Sequence, residues 1–171
     1  MSIVLGIDPG SRLTGFGIVY FKKQRFTHID HGTIKTPEGE FADKLHHIFS
    51  ELNRLIAQHK PHTAAIEQVF FSKNAQSALK LGQARGAAIT AISHNACKLF
   101  EYSAKQIKQS VSGTGAADKK QIQHMVKILL NLDQIPQSDA ADALACAICH
   151  CHHQGVFDRI NRAKTTAGNR I

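Results

Sequence analysis

The stretch Ile3-Val4-Leu5-Gly6-Ile7-Asp8-Pro9-Gly10-Ser11 decides how the rest of the chain is read. A nearly continuous apolar run climbs from the N-terminus and stops at a carboxylate, and Pro9-Gly10 then turns the backbone. A second β-prone run follows from Thr14 to Phe21, so the two form a hairpin. The first strand is apolar on both faces and belongs at the centre of a sheet. Asp8 stands where that strand leaves the core, and a carboxylate there costs free energy unless a donor or a cation meets it. One use is to cap the Pro-Gly turn; the other is to hold a divalent metal, which requires more carboxylates at the same point.

Working outward, residues 25–36 alternate loosely and predict a third antiparallel strand, ended by Pro37. From Glu40 to His59, Phe41, Leu45, Ile48, Phe49, Leu52, Leu55 and Ile56 recur at helical spacing. Lys60-Pro61 stops that helix. The strand Thr63-Ala64-Ala65-Ile66-Glu67-Gln68-Val69-Phe70 then delivers a second carboxylate, Glu67, near its end. Asn74 to Asn95 predicts a helix rich in Ala and Gly, suited either to close packing on the sheet or to a dimer seam. Leu99-Phe100-Glu101-Tyr102 is a short fifth strand; helices follow at 104–111 and from Ala117 to Leu132. Three meandering strands followed by helix and strand imply an α/β fold with a mixed five-stranded sheet flanked by helices.

The last helix opens at Gln137-Ser138-Asp139-Ala140-Ala141-Asp142-Ala143. Asp139 and Asp142 are three apart and share one face of its first turns. Acids near a helix N-terminus commonly serve only to offset its dipole. With the strand-end acids Asp8 and Glu67, however, they make four hard oxygen donors, a set suited to Mg²⁺ or Mn²⁺ and a phosphate.

Charge identifies the kind of partner. The 171-residue chain carries a net +8 with a pI near 9.5. Between Gln68 and Leu132 nine basic residues face two acids, Glu101 and Asp118, which places +7 of the total in that segment. A field this concentrated is the footprint of a polyanion such as nucleic acid. No run of 18 apolar residues and no secretory n- and h-regions occur, so neither a membrane span nor export is expected. The four cysteines, three of them crowded at Cys146, Cys149 and Cys151, fit a reducing cytoplasm better than a disulfide framework. The patch from Cys146 to His153 invites a zinc reading, yet one helix offers an ion only an i,i+4 pair such as Cys146 and His150. From Gly155 the sequence loses periodicity, so a domain over 1–154 and a basic, disordered tail over 155–171 are expected.

Four stretches carry a family resemblance: Gly-Ile-Asp-Pro-Gly-Ser-Arg at 6–12, Ala-Ile-Glu-Gln-Val-Phe at 65–70, Lys-Asn-Ala-Gln-Ser-Ala-Leu-Lys-Leu-Gly-Gln-Ala-Arg-Gly at 73–86, and Asp-Ala-Ala-Asp-Ala-Leu-Ala at 139–145. Up to the tail, the chain resembles the RuvC family of bacterial Holliday-junction resolvases. The resemblance implies an RNase H-like fold, a homodimer and Mg²⁺-dependent cutting of four-way junction DNA in recombination and repair. It implies two Mg²⁺ per active site, with Mn²⁺ as a substitute, held by a catalytic tetrad of Asp8, Glu67, Asp139 and Asp142. It implies that Phe70 stacks on a base near the cut, that Lys108 and Lys119 contact DNA near the scissile phosphate, and that a RuvA–RuvB branch-migration complex is a partner. The basic segment adds Lys73, Lys80, Arg85 and Lys120 as expected DNA contacts. Paired symmetric hydrolysis would leave 5′-phosphate and 3′-hydroxyl ends. Ile-Asp-Pro-Gly-Ser also resembles the phosphate hairpin of actin-like and sugar-kinase ATPases, and a non-catalytic junction binder is a further alternative. The first of these needs two such domains; the second gains nothing from four acids beside a basic face.

Overall fold

The computed structural model of the chain describes residues 1–68 and 74–168, the last thirteen of these by backbone alone. Strands β1 (Ser2–Asp8), β2 (Leu13–Lys22) and β3 (Arg25–Lys35) precede helix α1 (Phe41–His59) and strand β4 (Thr63–Glu67). Helix α2 (Ala75–His94), strand β5 (Lys98–Tyr102) and helices α3 (Ala104–Ser112), α4 (Lys119–Leu130) and α5 (Ser138–Gly168) complete the order.

The five strands form one sheet in the order β3-β2-β1-β4-β5, so the apolar first strand is central. The β1–β2 and β2–β3 pairs are antiparallel, and β4 and β5 add in parallel on the other side of β1. The mixed sheet expected from the sequence is therefore present. Pleating divides the side chains between two cores. Val4, Val19 and Ala65 face the layer of α3, α4 and α5. Leu5, Ile7, Ile18, Ala64 and Ile66 face α1 and α2.

The helix ends follow local chemistry. Lys60 takes a left-handed conformation (φ 48°), its N–H closes on the Ile56 carbonyl, and Pro61 forbids continuation. Helix α4 starts at Lys119 rather than Ala117 because Asp118 is its N-cap, in a reciprocal capping box with Gln121. It ends before Leu132 because Asn131 turns left-handed. Asn74 caps α2 by accepting from the N–H groups of Gln76 and Ser77. The Pro9-Gly10 turn is closed by Thr14, whose hydroxyl bonds both Gly10 N–H and Gly10 carbonyl, and not by Asp8.

Helix α5 lies across β1 and β2 and is buried from Ala140 to Cys151 except at Asp142. Its alanines bring its backbone down onto glycines in the sheet. A Cβ on Gly6 would overlap the Ala143 carbonyl oxygen, and one on Gly15 the Asp139 carbonyl oxygen. The histidines further along α5 are engaged in packing: His150 Nδ1 lies 2.8 Å from the Tyr102 hydroxyl and His152 Nδ1 2.8 Å from Ser110 Oγ. The α5 backbone continues beyond 155, where the sequence suggests an irregular tail, as far as Gly168.

Candidate active site

The site begins with strand geometry. Asp8 ends β1 and Glu67 ends β4, and the parallel register pairs Ile7 with Ile66, so both carboxylates leave neighbouring central strands at the same edge of the sheet. This is the adjacency that the sequence required for a shared site. On the other side of Asp8, its antiparallel partner in β2 is Gly15. Because Gly15 has no side chain, the first turn of α5 descends onto it, with the Asp139 carbonyl in the space a Cβ would fill. Asp139 and, one turn later, Asp142 are thereby brought beside Asp8.

The electrostatics follow from this proximity, because Coulombic repulsion grows as like charges approach. Burial, reinforced by the negative charges of Asp142, Asp139 and Glu67, pushes the Asp8 carboxyl up from 3.8 to about 7. Glu67 is also pushed up, by burial first and then by Asp142, while Lys108 and Lys119 oppose the shift. Four acids thus meet in one partly dry place, and the two nearby lysines offset only part of their mutual repulsion. As their side chains stand, no three His, Cys, Asp or Glu side chains among the described residues are already gathered in ligating geometry. The donor chemistry nevertheless fits a hard divalent cation: all-oxygen, anionic and flanked by open space for water and phosphate.

Two lysines border the carboxylates. Lys119, in the first turn of α4, places Nζ 3.0 Å from Asp142 Oδ2, and this hydrogen bond is the main reason its ammonium is held charged above the usual lysine range. Lys108, on α3, lines with Lys119, Glu67 and Asp142 a cavity of about 220 Å³ floored by Ala104, Ile107, Ile122 and Ala145. A larger hollow of about 910 Å³, between β3 and the loop ahead of α5, contains none of the four acids.

The other expected DNA contacts are distributed differently. Lys120 is exposed beside Lys119 at the start of α4. Lys80 is exposed on α2, which packs on the opposite face of the sheet. Arg85, also on α2, is engaged within the chain: its guanidinium lies 2.8 Å from Glu101 on β5. Phe70 and Lys73 lie outside the described residues. What the sequence reading missed are the glycines at 6, 15 and 17, whose bareness seats α5. Their signal was available, since glycine inside a strand marks close approach of another backbone. The Lys119–Asp142 pair has no comparable signal, because its partners are separated by a helix and a loop.

The chain is similar to known proteins over most of its length. The family model described as "Crossover junction endodeoxyribonuclease RuvC" matches residues 4–150. A crossover junction endodeoxyribonuclease RuvC of Colwellia psychrerythraea is 58% identical over 154 residues, covering 89% of this chain and 88% of the relative. One of Citrifermentans bemidjiense is 54% identical over 155 residues, covering 90% and 94%. Among solved structures, T. thermophilus RuvC in complex with a Holliday junction substrate superimposes with a TM-score of 0.85 at 30% identity, over 90% of this chain and 95% of that one. The sheet order, the flanking helices and these neighbours make the fold RNase H-like. With a family match spanning both strand-end acids and the start of α5, the chain belongs to the RuvC family of crossover junction endodeoxyribonucleases.

Proposed function

We propose that the chain resolves Holliday junctions by paired, symmetric, divalent-metal-dependent nicks that leave 5′-phosphate and 3′-hydroxyl ends, in the cytoplasm, during recombination and repair. The observation that carries this reading is geometric: Asp8 and Glu67 end neighbouring parallel strands, the first turn of α5 seats on Gly15 and brings Asp139 and Asp142 beside them, and Lys108 and Lys119 stand at the rim. Such an arrangement is unfavourable in isolation and acquires a purpose when cations and a phosphodiester arrive.

Asp8, Glu67, Asp139 and Asp142 would hold Mg²⁺, two ions per site, with Mn²⁺ as a substitute. Ions held there would stabilise the attacking and leaving oxygens of an in-line displacement at phosphorus. The chain's own groups do the positioning. Lys108 and Lys119 donate to non-bridging oxygens of the scissile phosphate. Phe70 stacks on a base beside the cut, a contact worth about 1–3 kcal/mol. Lys73, Lys80 and Lys120 contribute countercharge along the arms, and Arg85 joins them only when its pair with Glu101 opens. The nuclease domain is 1–154, followed by a basic tail, and the RuvA–RuvB branch-migration complex is the cooperating partner.

Two symmetric nicks call for a two-fold dimer, and α2 offers a face for one. Leu79 is 64% exposed. Among the described residues, a Cβ on Gly82 or Gly86 would meet nothing within 4 Å, so the stripe 79, 82, 86 is open for close helix approach.

The test is a labelled four-way junction, a matched duplex and a matched RNA–DNA hybrid, each incubated with Mg²⁺ and with EDTA. Paired symmetric nicks in the junction alone, only with Mg²⁺, are expected. Preferential cutting of the hybrid would keep the metal site but move the substrate to that of a ribonuclease H.

A further inference from the structure

We propose that Lys119 is a resident counter-cation of the carboxylate cluster, which a divalent ion must displace from Asp142 and which the scissile phosphate then receives. The inference rests on the reading above that Asp142 is a metal ligand, and it adds a competition that the reading does not contain.

Three observations support it. First, Lys119 Nζ stands 3.0 Å from Asp142 Oδ2, a direct charge-assisted contact on an oxygen that a metal would need. An ammonium and a dication cannot share one carboxylate oxygen at such range without strong repulsion. Second, the two partners differ in freedom. The Asp142 side chain is 29% exposed and anchored on the buried helix α5, whereas that of Lys119 is 58% exposed on a flexible stem. Its backbone is fixed by the Asp118–Gln121 capping box, so the head group can swing while its root stays in place. Third, the cavity bordered by Lys119, Lys108, Glu67 and Asp142 gives the displaced ammonium somewhere to go without leaving the cluster.

Lys108 supplies the internal control. It lines the same cavity and its charge acts through space on Glu67, but among the described residues it forms no ion pair with any of the four acids, so it supplies the charge without the contact. If Lys119 merely added positive charge to the neighbourhood, removing either lysine would affect metal binding alike. Displacement predicts that they differ. It also predicts a coupling: a phosphate that takes the ammonium frees Asp142, so junction and metal bind better together than separately.

The experiment is a titration of the full chain with Mn²⁺, without DNA, read by the electron paramagnetic resonance of free Mn²⁺. Lys119→Met should bind Mn²⁺ roughly fivefold more tightly than wild type, while Lys108→Met should change affinity less than twofold. Equal effects of the two substitutions, or unchanged or weaker binding by Lys119→Met, would overturn the displacement. Thermal melting checks folding, and Lys119→Gln replaces Lys119→Met should the latter not fold. Asp142→Asn separates the two levels. Weakened Mn²⁺ binding keeps Asp142 as a ligand whatever Lys119 does; unchanged binding removes the ligand assignment and the displacement with it.

Discussion

Gly15 and Asp139 share a space that holds only one of them fully: the Asp139 carbonyl oxygen lies where a Gly15 Cβ would be. Since Gly15 is also the cross-strand partner of Asp8, this contact joins the strand-end and helix-end halves of the site. Gly15→Ala must push α5 off the sheet or bend β2. Overpacking of this kind costs about 1–3 kcal/mol, and the displacement falls on Asp139 and Asp142. Urea unfolding should show that loss, and junction cutting should fall further than stability alone accounts for. An alanine variant that cuts at the wild-type rate would mean that α5 need not sit this close.

Asp8 makes the metal-free protein sensitive to pH. Its folded carboxyl is raised from 3.8 to about 7, so the folded state binds the proton more tightly than the unfolded chain. Stability from this group is therefore fully present below pH 4 and is lost as pH rises toward and through 7, with a slope approaching 1.4 kcal/mol per unit. In EDTA, wild type should melt progressively lower across that window, and Asp8→Asn should flatten the profile and melt higher at pH 8. The same variant should lose cutting while retaining most junction affinity, because binding rests on the lysines. A parallel loss of binding and cutting would overturn that division of labour.

Much of this was legible from the chain alone, for identifiable reasons. The run ending at Asp8 is apolar on both faces, which only a central strand explains, and Asp8 and Glu67 each end a strand of that kind. The i,i+3 spacing of Asp139 and Asp142 fixed their shared face. Residue spacing could not show that α5 crosses β1 and β2 at glycine distance, because that depends on three-dimensional fit between Gly6 and Ala143 and between Gly15 and Asp139. Nor could the charge count distinguish a lysine facing solvent from Arg85, whose guanidinium meets Glu101. Net charge describes a field and is silent on which cations are already paired.

The Arg85–Glu101 pair should accordingly act in folding more than in DNA affinity. The Arg85 side chain is only 19% exposed, so its bond of 2.8 Å to Glu101 ties α2 to β5 across partly dry space. A double-mutant cycle with Arg85→Ala and Glu101→Ala should give a coupling of about 1 kcal/mol, the upper end for pairs of this kind. Junction affinity should fall less for Arg85→Ala than for Lys120→Ala at low salt. The reverse order would place Arg85 on the DNA in spite of its partner.

The open stripe on α2 predicts how assembly can be broken without unfolding the subunit. Leu79, Gly82 and Gly86 recur at helical spacing on an exposed face where, among the described residues, a Cβ on either glycine would meet nothing within 4 Å, while Ala84, Ala88 and Ala91 bury the opposite face. Gly86→Arg adds bulk and charge outward, and arginine is the better helix former, so the isolated subunit should be no less stable. If this stripe is the two-fold seam, light scattering should report dimers for wild type and monomers for Gly86→Arg at micromolar concentration. The monomer should keep its Asp8-dependent pH profile, because every group in that site comes from one chain. It should nick one strand of a junction without the matching second cut, since the symmetric pair requires two sites held at a fixed separation. Dimers that survive Gly86→Arg, or a monomeric wild type, would place the seam elsewhere or dispense with it.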